Sequence, residues 1–132
     1  MNAKISILII DDNQTNIDLL EYLLKFNNYN VETALSAEQG LTKLKSFKPE
    51  MILVDISMPG MSGFDFLKKF RDDVKYDDIC IIAITSFAMQ GDEEIALKAG
   101  FFGYITKPIN VTTLPTTLAN CLQKFKKAQA QI

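Results

Sequence analysis

Five short apolar runs recur along the chain, separated by longer segments in which apolar residues return every three or four positions. The runs occupy residues 5–10, 29–34, 51–54, 79–84 and 104–105. The first and fourth are almost unbroken and rich in isoleucine, which is typical of central strands of a parallel sheet that are buried on both faces. The alternation predicts an α/β fold, a (βα)₅ doubly wound parallel sheet with helices on both faces.

The segments between the runs carry the packing and end signals of helices. The first has an apolar stripe at helical spacing, formed by Ile17, Leu20 and Leu24. Two later segments open with the spacing of a capping box, Ser36 with Gln39 and Ser62 with Asp65. Gly100 has the placement of a C-terminal glycine cap.

The final helix is predicted over about 113–127, with an inward face that is again apolar: Leu114, Leu118, Cys121, Leu122 and Phe125. Pro115 lacks a backbone N–H and cannot lie deep inside a helix, so the helix should begin late, with Thr112 or Thr113 as its cap. No linker or internal repeat interrupts the pattern. One domain is therefore predicted over residues 1–132, with its core at about 4–127.

Composition narrows the classes of function. The 14 basic and 16 acidic side chains nearly balance, which argues against the concentrated basic face of a nucleic-acid partner. No apolar run approaches the roughly 20 residues that a membrane helix requires. The absence of histidine excludes histidine-based catalysis and histidine metal sites. Cys80 and Cys121 form no CxxC motif and suit a reduced, cytoplasmic location.

Polar residues follow four of the apolar runs: Asp11 and Asp12, then Asp55, then Thr85, then Lys107 before Pro108. In an open parallel sheet the carboxyl ends of the strands meet at one edge, where ligands bind. We therefore expect three carboxylates, a hydroxyl and an ammonium to gather there. Taken singly, each has a plain structural explanation: Asp11 or Asp12 as a helix-start residue, Thr85 as a strand former and Lys107 as a surface lysine.

Crowded carboxylates repel each other, and a divalent cation removes that cost. Oxygen ligands with room for water suit Mg²⁺. An ionised aspartate facing the cation can accept a phosphoryl group as an acyl phosphate, and the lysine and hydroxyl can bind its oxygens. The edge therefore favours magnesium-assisted phosphoryl transfer.

Four segments resemble, in order and spacing, the receiver domain of two-component response regulators: ILIIDDN at 7–13, VDISMPGMSG at 54–63, ITSFA at 84–88 and AGFFGYITKPI at 99–109. The likeness covers essentially the whole chain and is closest to stand-alone, chemotaxis-regulator-like receivers. It implies a flavodoxin-like strand order, 2-1-3-4-5. It also implies a type II turn at Pro59-Gly60 and a cis Lys107-Pro108 bond.

The resemblance implies a role for each site residue. Asp55 would accept phosphoryl from a phosphohistidine on a histidine kinase or phosphotransfer protein. Asp12, Asp55 and the Ser57 carbonyl would bind Mg²⁺ directly, and Asp11 would act through water. Lys107 would bridge to Asp55 and then to the phosphoryl group. Two residues would form the switch, with Thr85 moving toward the phosphate and Tyr104 turning inward behind it.

Two further expectations concern the partner and the lifetime of the signal. Asn16 and Leu19 on the first helix, with Pro108, would dock the kinase's helical bundle, and Leu23 would join them unless it belongs to the core. The resemblance implies that the residues two beyond the acceptor and two beyond the switch threonine, here Ser57 and Phe87, flank the path of the hydrolytic water. A short hydroxyl and a bulky ring there favour slow self-dephosphorylation.

The output and several alternatives remain open at the level of sequence. A stand-alone receiver is the direct interpretation, and a receiver excised from a hybrid histidine kinase or a multidomain regulator is the alternative; neither is a conventional enzyme. A haloacid-dehalogenase-like phosphatase would resemble DxDxT, whereas Asn13 stands where that motif has its second aspartate. A flavin- or nucleotide-binding module would need a glycine-rich phosphate loop, which the sequence lacks.

Overall fold

A computed structural model describes residues 4–86 and 91–131. Its strands are β1 (Ser6–Ile10), β2 (Asn30–Ala34), β3 (Met51–Asp55), β4 (Cys80–Thr85) and β5 (Gly103–Thr106). They form one sheet in the order β2-β1-β3-β4-β5, and every neighbouring pair is parallel. The predicted fold class and strand order are confirmed.

The helices are α1 (Gln14–Phe26), α2 (Ala37–Lys43), α3 (Gly63–Arg71), α4 (Asp92–Ala99) and α5 (Leu114–Ala130), with a 3₁₀ turn at Val74–Tyr76. They divide between the two faces of the sheet. The core layer beneath α1 and α5 contains residues such as Ile9, Leu20, Leu53 and Leu118. The opposite layer, beneath α2, α3 and α4, contains residues such as Leu8, Val54, Phe66 and Ala96. Because alternate strand residues enter alternate layers, β1, β3 and β4 are apolar almost throughout.

The helix caps agree with the sequence in part. At α3 both bonds of the capping box are present, since the Asp65 N–H donates to Ser62 Oγ and the Ser62 N–H donates to Asp65 Oδ2, each at 3.2 Å. At α2 the Gln39 N–H donates to Ser36 Oγ at 3.1 Å, but Gln39 Oε1 accepts from the Leu35 N–H. In a capping box the Gln39 side chain would accept from the Ser36 N–H, so the donor of this second bond is one residue earlier than predicted. Gly100 ends α4 at a φ of 121°, as expected of a glycine cap.

Pro115 lies in the first turn of α5, as predicted, and Thr113 is at the N-cap position. The Thr113 side chain makes no capping bond, however. Asn110 Oδ1 accepts instead from the N–H groups of Thr112 and Thr113, at 3.0 and 3.3 Å. The helix also continues to Ala130, beyond the predicted end at 127.

Among the described residues, no helix combines the length and the apolar character needed to span a membrane.

Candidate functional site

The ends of β1, β3 and β5 bring two carboxylates and an ammonium together. Lys107 Nζ lies 2.9 Å from Asp55 Oδ2 and 3.0 Å from Asp11 Oδ2. The sheet register explains the meeting, since Ile10 of β1 pairs with Val54 of β3 and both carboxylates come one residue later. The Lys107 N–H donates to the Thr85 carbonyl at 2.7 Å, which ties the lysine to the end of β4.

The loops that follow β1 and β3 orient the two carboxylates in the same way. Asp11 Oδ1 accepts from the Asn13 N–H at 2.9 Å, and Asp55 Oδ1 accepts from the Ser57 N–H at 2.8 Å. Each aspartate therefore directs one oxygen to its own loop and the other toward Lys107. Side chains held at both oxygens need little reorganisation before they bind a ligand.

Burial of polar groups is concentrated at this site. Within the described residues, the buried polar or charged residues are Asp11, Asp55 and Thr85, at 1%, 5% and 1% exposure of the whole residue. Burial raises the pKa of Asp11, and the Asn13 N–H and the Lys107 ammonium act in the opposite direction. Burial alone would lower the pKa of Lys107, but hydrogen bonding to Asp55 and the proximity of Asp11 outweigh it, so the pKa is raised and the ammonium stays charged.

Three carboxylates are close enough to share a cation. Asp11, Asp12 and Asp55 each present an oxygen, and these oxygens lie within 4.8 Å of one another. Asp12 is exposed, so the group opens to water. Asp11 Oδ2 is buried and receives no well-directed hydrogen bond from any described residue, although its ion pair with Lys107 is short. Such an oxygen suits a metal-bound water, and the all-oxygen set fits Mg²⁺.

The two predicted switch residues are in contact. Thr85 ends β4, and Tyr104 of β5 pairs with Ala83 beside it. The half-buried Tyr104 ring packs against the layer beneath α2, α3 and α4, and its hydroxyl shares a hydrogen bond with Thr85. Burial raises the pKa of Tyr104, and so do the negative charges of Asp92 and Glu93 in the first turn of α4. Tyr104 therefore stands between the site and α4.

Of the predicted docking residues, Asn16 and Leu19 lie on α1, and Pro108 follows Lys107 just after β5. Leu19 is 43% exposed and Pro108 is exposed, whereas Asn16 is half-buried. Leu23 packs against the core layer beneath α1 and α5, which favours the alternative that it is a core residue. Ser57 is exposed beside the acceptor. Phe87 lies outside the described residues.

Sequence reasoning missed an aromatic pair farther along α1. Tyr22 and Phe26 are 72% and 78% exposed, and their rings stack with centroids 6.5 Å apart. Their spacing from Leu19, three and seven residues, places all three on the outer face of the helix. This helical spacing of apolar residues is the sequence signal from which a second, exposed apolar face of α1 could have been predicted.

The Pro59-Gly60 turn and the lysine-proline bond agree with expectation. Gly60 has a φ of 73°, the value required at the second corner of a type II turn, and the Lys107-Pro108 bond is cis.

The aspartates and the lysine gathered at the carboxyl edge of this parallel sheet can hold a divalent cation and bind a phosphoryl group. Residues 7–119 match the family described as the response regulator receiver domain. The chain belongs to this family. It is therefore a receiver domain of two-component signalling and not a conventional enzyme, which removes the phosphatase and nucleotide-binding alternatives.

Relatives and solved structures agree. The chain is 35% identical over 117 residues to the polar-differentiation response regulator DivK of Brucella ovis, covering 89% of this chain and 95% of that protein. It is similar to the receiver domain of the sensor histidine kinase PA1611 of Pseudomonas aeruginosa, solved with magnesium in its active-site cleft (TM-score 0.82, 28% identity, 92% and 99% coverage). It is also similar to a chain in the structure of the Saccharomyces cerevisiae phosphotransfer protein Ypd1 bound to the receiver domain of Ssk1 (TM-score 0.79, 27% identity, 89% of this chain and 88% of that chain covered). Receiver domains use Mg²⁺ at an acidic pocket and interact with histidine kinases or phosphotransfer proteins.

Proposed function

We propose that this chain is a switch in which Asp55 accepts a phosphoryl group from a phosphohistidine on a histidine kinase or phosphotransfer protein. An Asp55 oxygen attacks phosphorus, the P–N bond breaks, and its electron pair returns to the imidazole. The product is an acyl phosphate on Asp55. The observation that carries the proposal is the geometry of Asp55, buried at the end of β3, bonded to Lys107 and grouped with Asp11 and Asp12.

Asp12, Asp55 and the Ser57 carbonyl would hold Mg²⁺ directly, and Asp11 would hold it through water. Bound Mg²⁺ would offset the negative charge that builds up as the phosphoryl group meets the carboxylates. The proximity of the three carboxylates and the buried Asp11 Oδ2 support this ligand set.

Lys107 and Thr85 would receive the phosphoryl group. The Lys107 ammonium already lies 2.9 Å from the acceptor carboxylate and would pair with a phosphoryl oxygen. The Thr85 hydroxyl would bond to another oxygen. Because Tyr104 shares a hydrogen bond with Thr85, the movement of Thr85 would release the tyrosine hydroxyl and let the ring turn inward.

The partner would dock beside this edge on α1. Leu19 on α1 and Pro108 after Lys107 offer exposed apolar surface, and Asn16 lies three residues before Leu19, nearer the start of the helix that follows Asp11 and Asp12. The complex of the Ssk1 receiver with the phosphotransfer protein Ypd1 supports a phosphotransfer protein as one kind of docking partner.

We further propose that residues 4–127 form one receiver unit that acts in the cytoplasm as a stand-alone response regulator. The coverage of DivK along 95% of its length supports this interpretation. A receiver belonging to a hybrid histidine kinase remains the second candidate, and the PA1611 receiver is the observation that favours it.

The test is labelling by acetyl phosphate with Mg²⁺, followed by mapping of the labelled residue. We expect one hydroxylamine-sensitive phosphoryl group on Asp55, and none in Asp55→Asn. Asp78→Asn is the control, because its exposed carboxylate pairs with Lys48 at 3.1 Å just before β4, at the opposite end of the strands from the site, and it should keep its label. Undiminished labelling of Asp55→Asn would refute the assignment.

A further inference from the structure

The first residue of α3 lies directly against the backbone of the acceptor loop. A Cβ added to Gly63 would lie 2.6 Å from Ile56 Cα and 2.8 Å from the Asp55 carbonyl oxygen. The Gly63 N–H points toward the Ile56 carbonyl at 3.4 Å. The φ of Gly63 is not in the positive range that favours glycine, so the space and not the backbone conformation excludes a side chain.

The atoms that a Cβ would meet cannot move by changing a rotamer, because they belong to the main chain. To restore an ordinary contact of 3.4 Å, Ile56 Cα or the start of α3 would have to shift by about 0.8 Å. The start of α3 resists such a shift because both bonds of the Ser62–Asp65 capping box hold it.

The loop against Gly63 is the one that orients the acceptor. The Ile56 N–H donates to the Ile84 carbonyl at 3.0 Å, and the Ser57 N–H donates to Asp55 Oδ1 at 2.8 Å. The backbone at 55–57 is therefore held by β4 on one side and by Gly63 on the other. A displacement at Ile56 would be passed to the Ser57 N–H and carbonyl.

We propose that Gly63 is a positioning residue for phosphoryl transfer. Its missing side chain lets α3 press on the Asp55–Ile56 backbone and so sets the Ser57 N–H against the acceptor and the Ser57 carbonyl toward the cation. This inference rests on the proposed function, because it assigns the loop a role in binding Mg²⁺ and phosphoryl.

Gly40 provides a matched control within the same chain. A Cβ at Gly40 would lie 2.5 Å from Ile10 Cδ1, a similar degree of crowding. The crowded atom there is the far end of a side chain in the core, which can turn aside, and it is not part of the acceptor loop. Gly40→Ala should therefore perturb stability without displacing the site.

The experiment compares the parent, Gly63→Ala and Gly40→Ala by amide NMR in metal-free buffer, by Mg²⁺ titration and by labelling with acetyl phosphate. In Gly63→Ala we expect the Ser57 amide to lose the downfield shift that its bond to Asp55 produces. Mg²⁺ affinity and the maximal labelling rate should each fall by about tenfold to a hundredfold, as expected for a misplacement near 1 Å. The Gly40→Ala protein should match the parent in all three measurements.

Each outcome decides the proposal. Folded Gly63→Ala with an unshifted Ser57 amide and parental Mg²⁺ affinity would overturn it, whereas an unlabelled parent would instead refute the proposed function. If Gly63→Ala does not fold, Ser62→Ala decides, because loss of the cap bond loosens the same turn without a clash. A weaker Mg²⁺ affinity in Ser62→Ala would then support the role of this turn, and an unchanged affinity would overturn it.

Discussion

Replacement of Lys107 by methionine should lower the free energy of unfolding, because the carboxylates at the acidic edge then repel one another. The ammonium contacts both Asp11 and Asp55 at about 3 Å. The side chain of Lys107 is 16% exposed, that of Asp11 1% and that of Asp55 7%. Without it, carboxylate oxygens within 4.8 Å of each other face one another unscreened. At that separation and an effective dielectric constant of about 20, two unit charges repel by about 3.5 kcal/mol. Loss of one partner of a buried ion pair costs about 3–5 kcal/mol, so we expect a loss of about 2–4 kcal/mol at this partly open site.

The loss should depend on pH in a defined direction. Burial raises the pKa of Asp11 in the folded protein above its unfolded value, so the folded state binds that proton more tightly. The stability that the protonated form contributes is lost as the pH rises through the folded-state pKa. Lys107 lowers this pKa, and its removal moves the window to higher pH. The deficit of Lys107→Met should therefore be largest at neutral pH and shrink as the pH falls.

Urea denaturation followed by far-UV circular dichroism measures the effect, since the chain has no tryptophan. Mg²⁺ should stabilise the variant more than the parent, because the ion replaces the missing positive charge; a ligand at 100 times its Kd contributes about 2.7 kcal/mol. Lys98→Met is the control, since Lys98 pairs with Glu94 at 3.0 Å on the exposed surface of α4 and should change little. Equal stability of Lys107→Met and the parent at neutral pH without Mg²⁺ would refute the reasoning.

Three further predictions concern the metal, the partner and the thiols. Asp12→Ala should weaken Mg²⁺ binding by at least tenfold in a titration calorimeter, and parental affinity would remove Asp12 from the ligand set. Leu19→Ala should slow phosphotransfer from a kinase while labelling by acetyl phosphate stays unchanged, and equal loss on both routes would indicate damaged folding. Cys80 is fully buried, which raises its pKa to about 12, so native protein should resist iodoacetamide at Cys80 until it unfolds, whereas half-buried Cys121 should react slowly. Rapid native labelling of Cys80, read by mass spectrometry, would contradict its burial.

The sequence predicted the parts of the fold that depend on repeated, local patterns. Continuous isoleucine-rich runs identify β1 and β4, because both faces of a central strand are covered by helices and every side chain along it is buried. The chemistry at the strand ends followed from the same pattern, since parallel strands carry their next residues to one edge. Asp55 and Thr85 proved to be the last residues of their strands.

Other features depended on three-dimensional relations that a local pattern does not contain. Thr113 occupies the predicted cap position of α5, yet its side chain makes no capping bond, and the Asn110 side-chain oxygen instead accepts from the N–H groups of Thr112 and Thr113 just before the helix. Gly63 is one of six glycines, and only the approach of α3 to the Ile56 backbone distinguishes it. Exposure of Tyr22 and Phe26 likewise depends on which face of α1 meets the sheet.

The net charge of the acidic edge suits a divalent cation, and phosphorylation of Asp55 would change that charge. With their ordinary charges, Asp11, Asp12 and Asp55 contribute three negative charges and Lys107 contributes one positive charge, so a divalent ion leaves the group neutral. A phosphoryl group on Asp55 replaces one carboxylate charge with a group that carries nearly two, and it projects beyond the carboxylate. Lys107 would then pair with the more highly charged phosphoryl group, farther from Asp11. The Thr85 hydroxyl would donate a hydrogen bond to a phosphoryl oxygen. On the proposed mechanism, the signal therefore leaves the site through Thr85 and Tyr104 toward the first turn of α4, where Asp92 and Glu93 already lie close enough to raise the pKa of Tyr104.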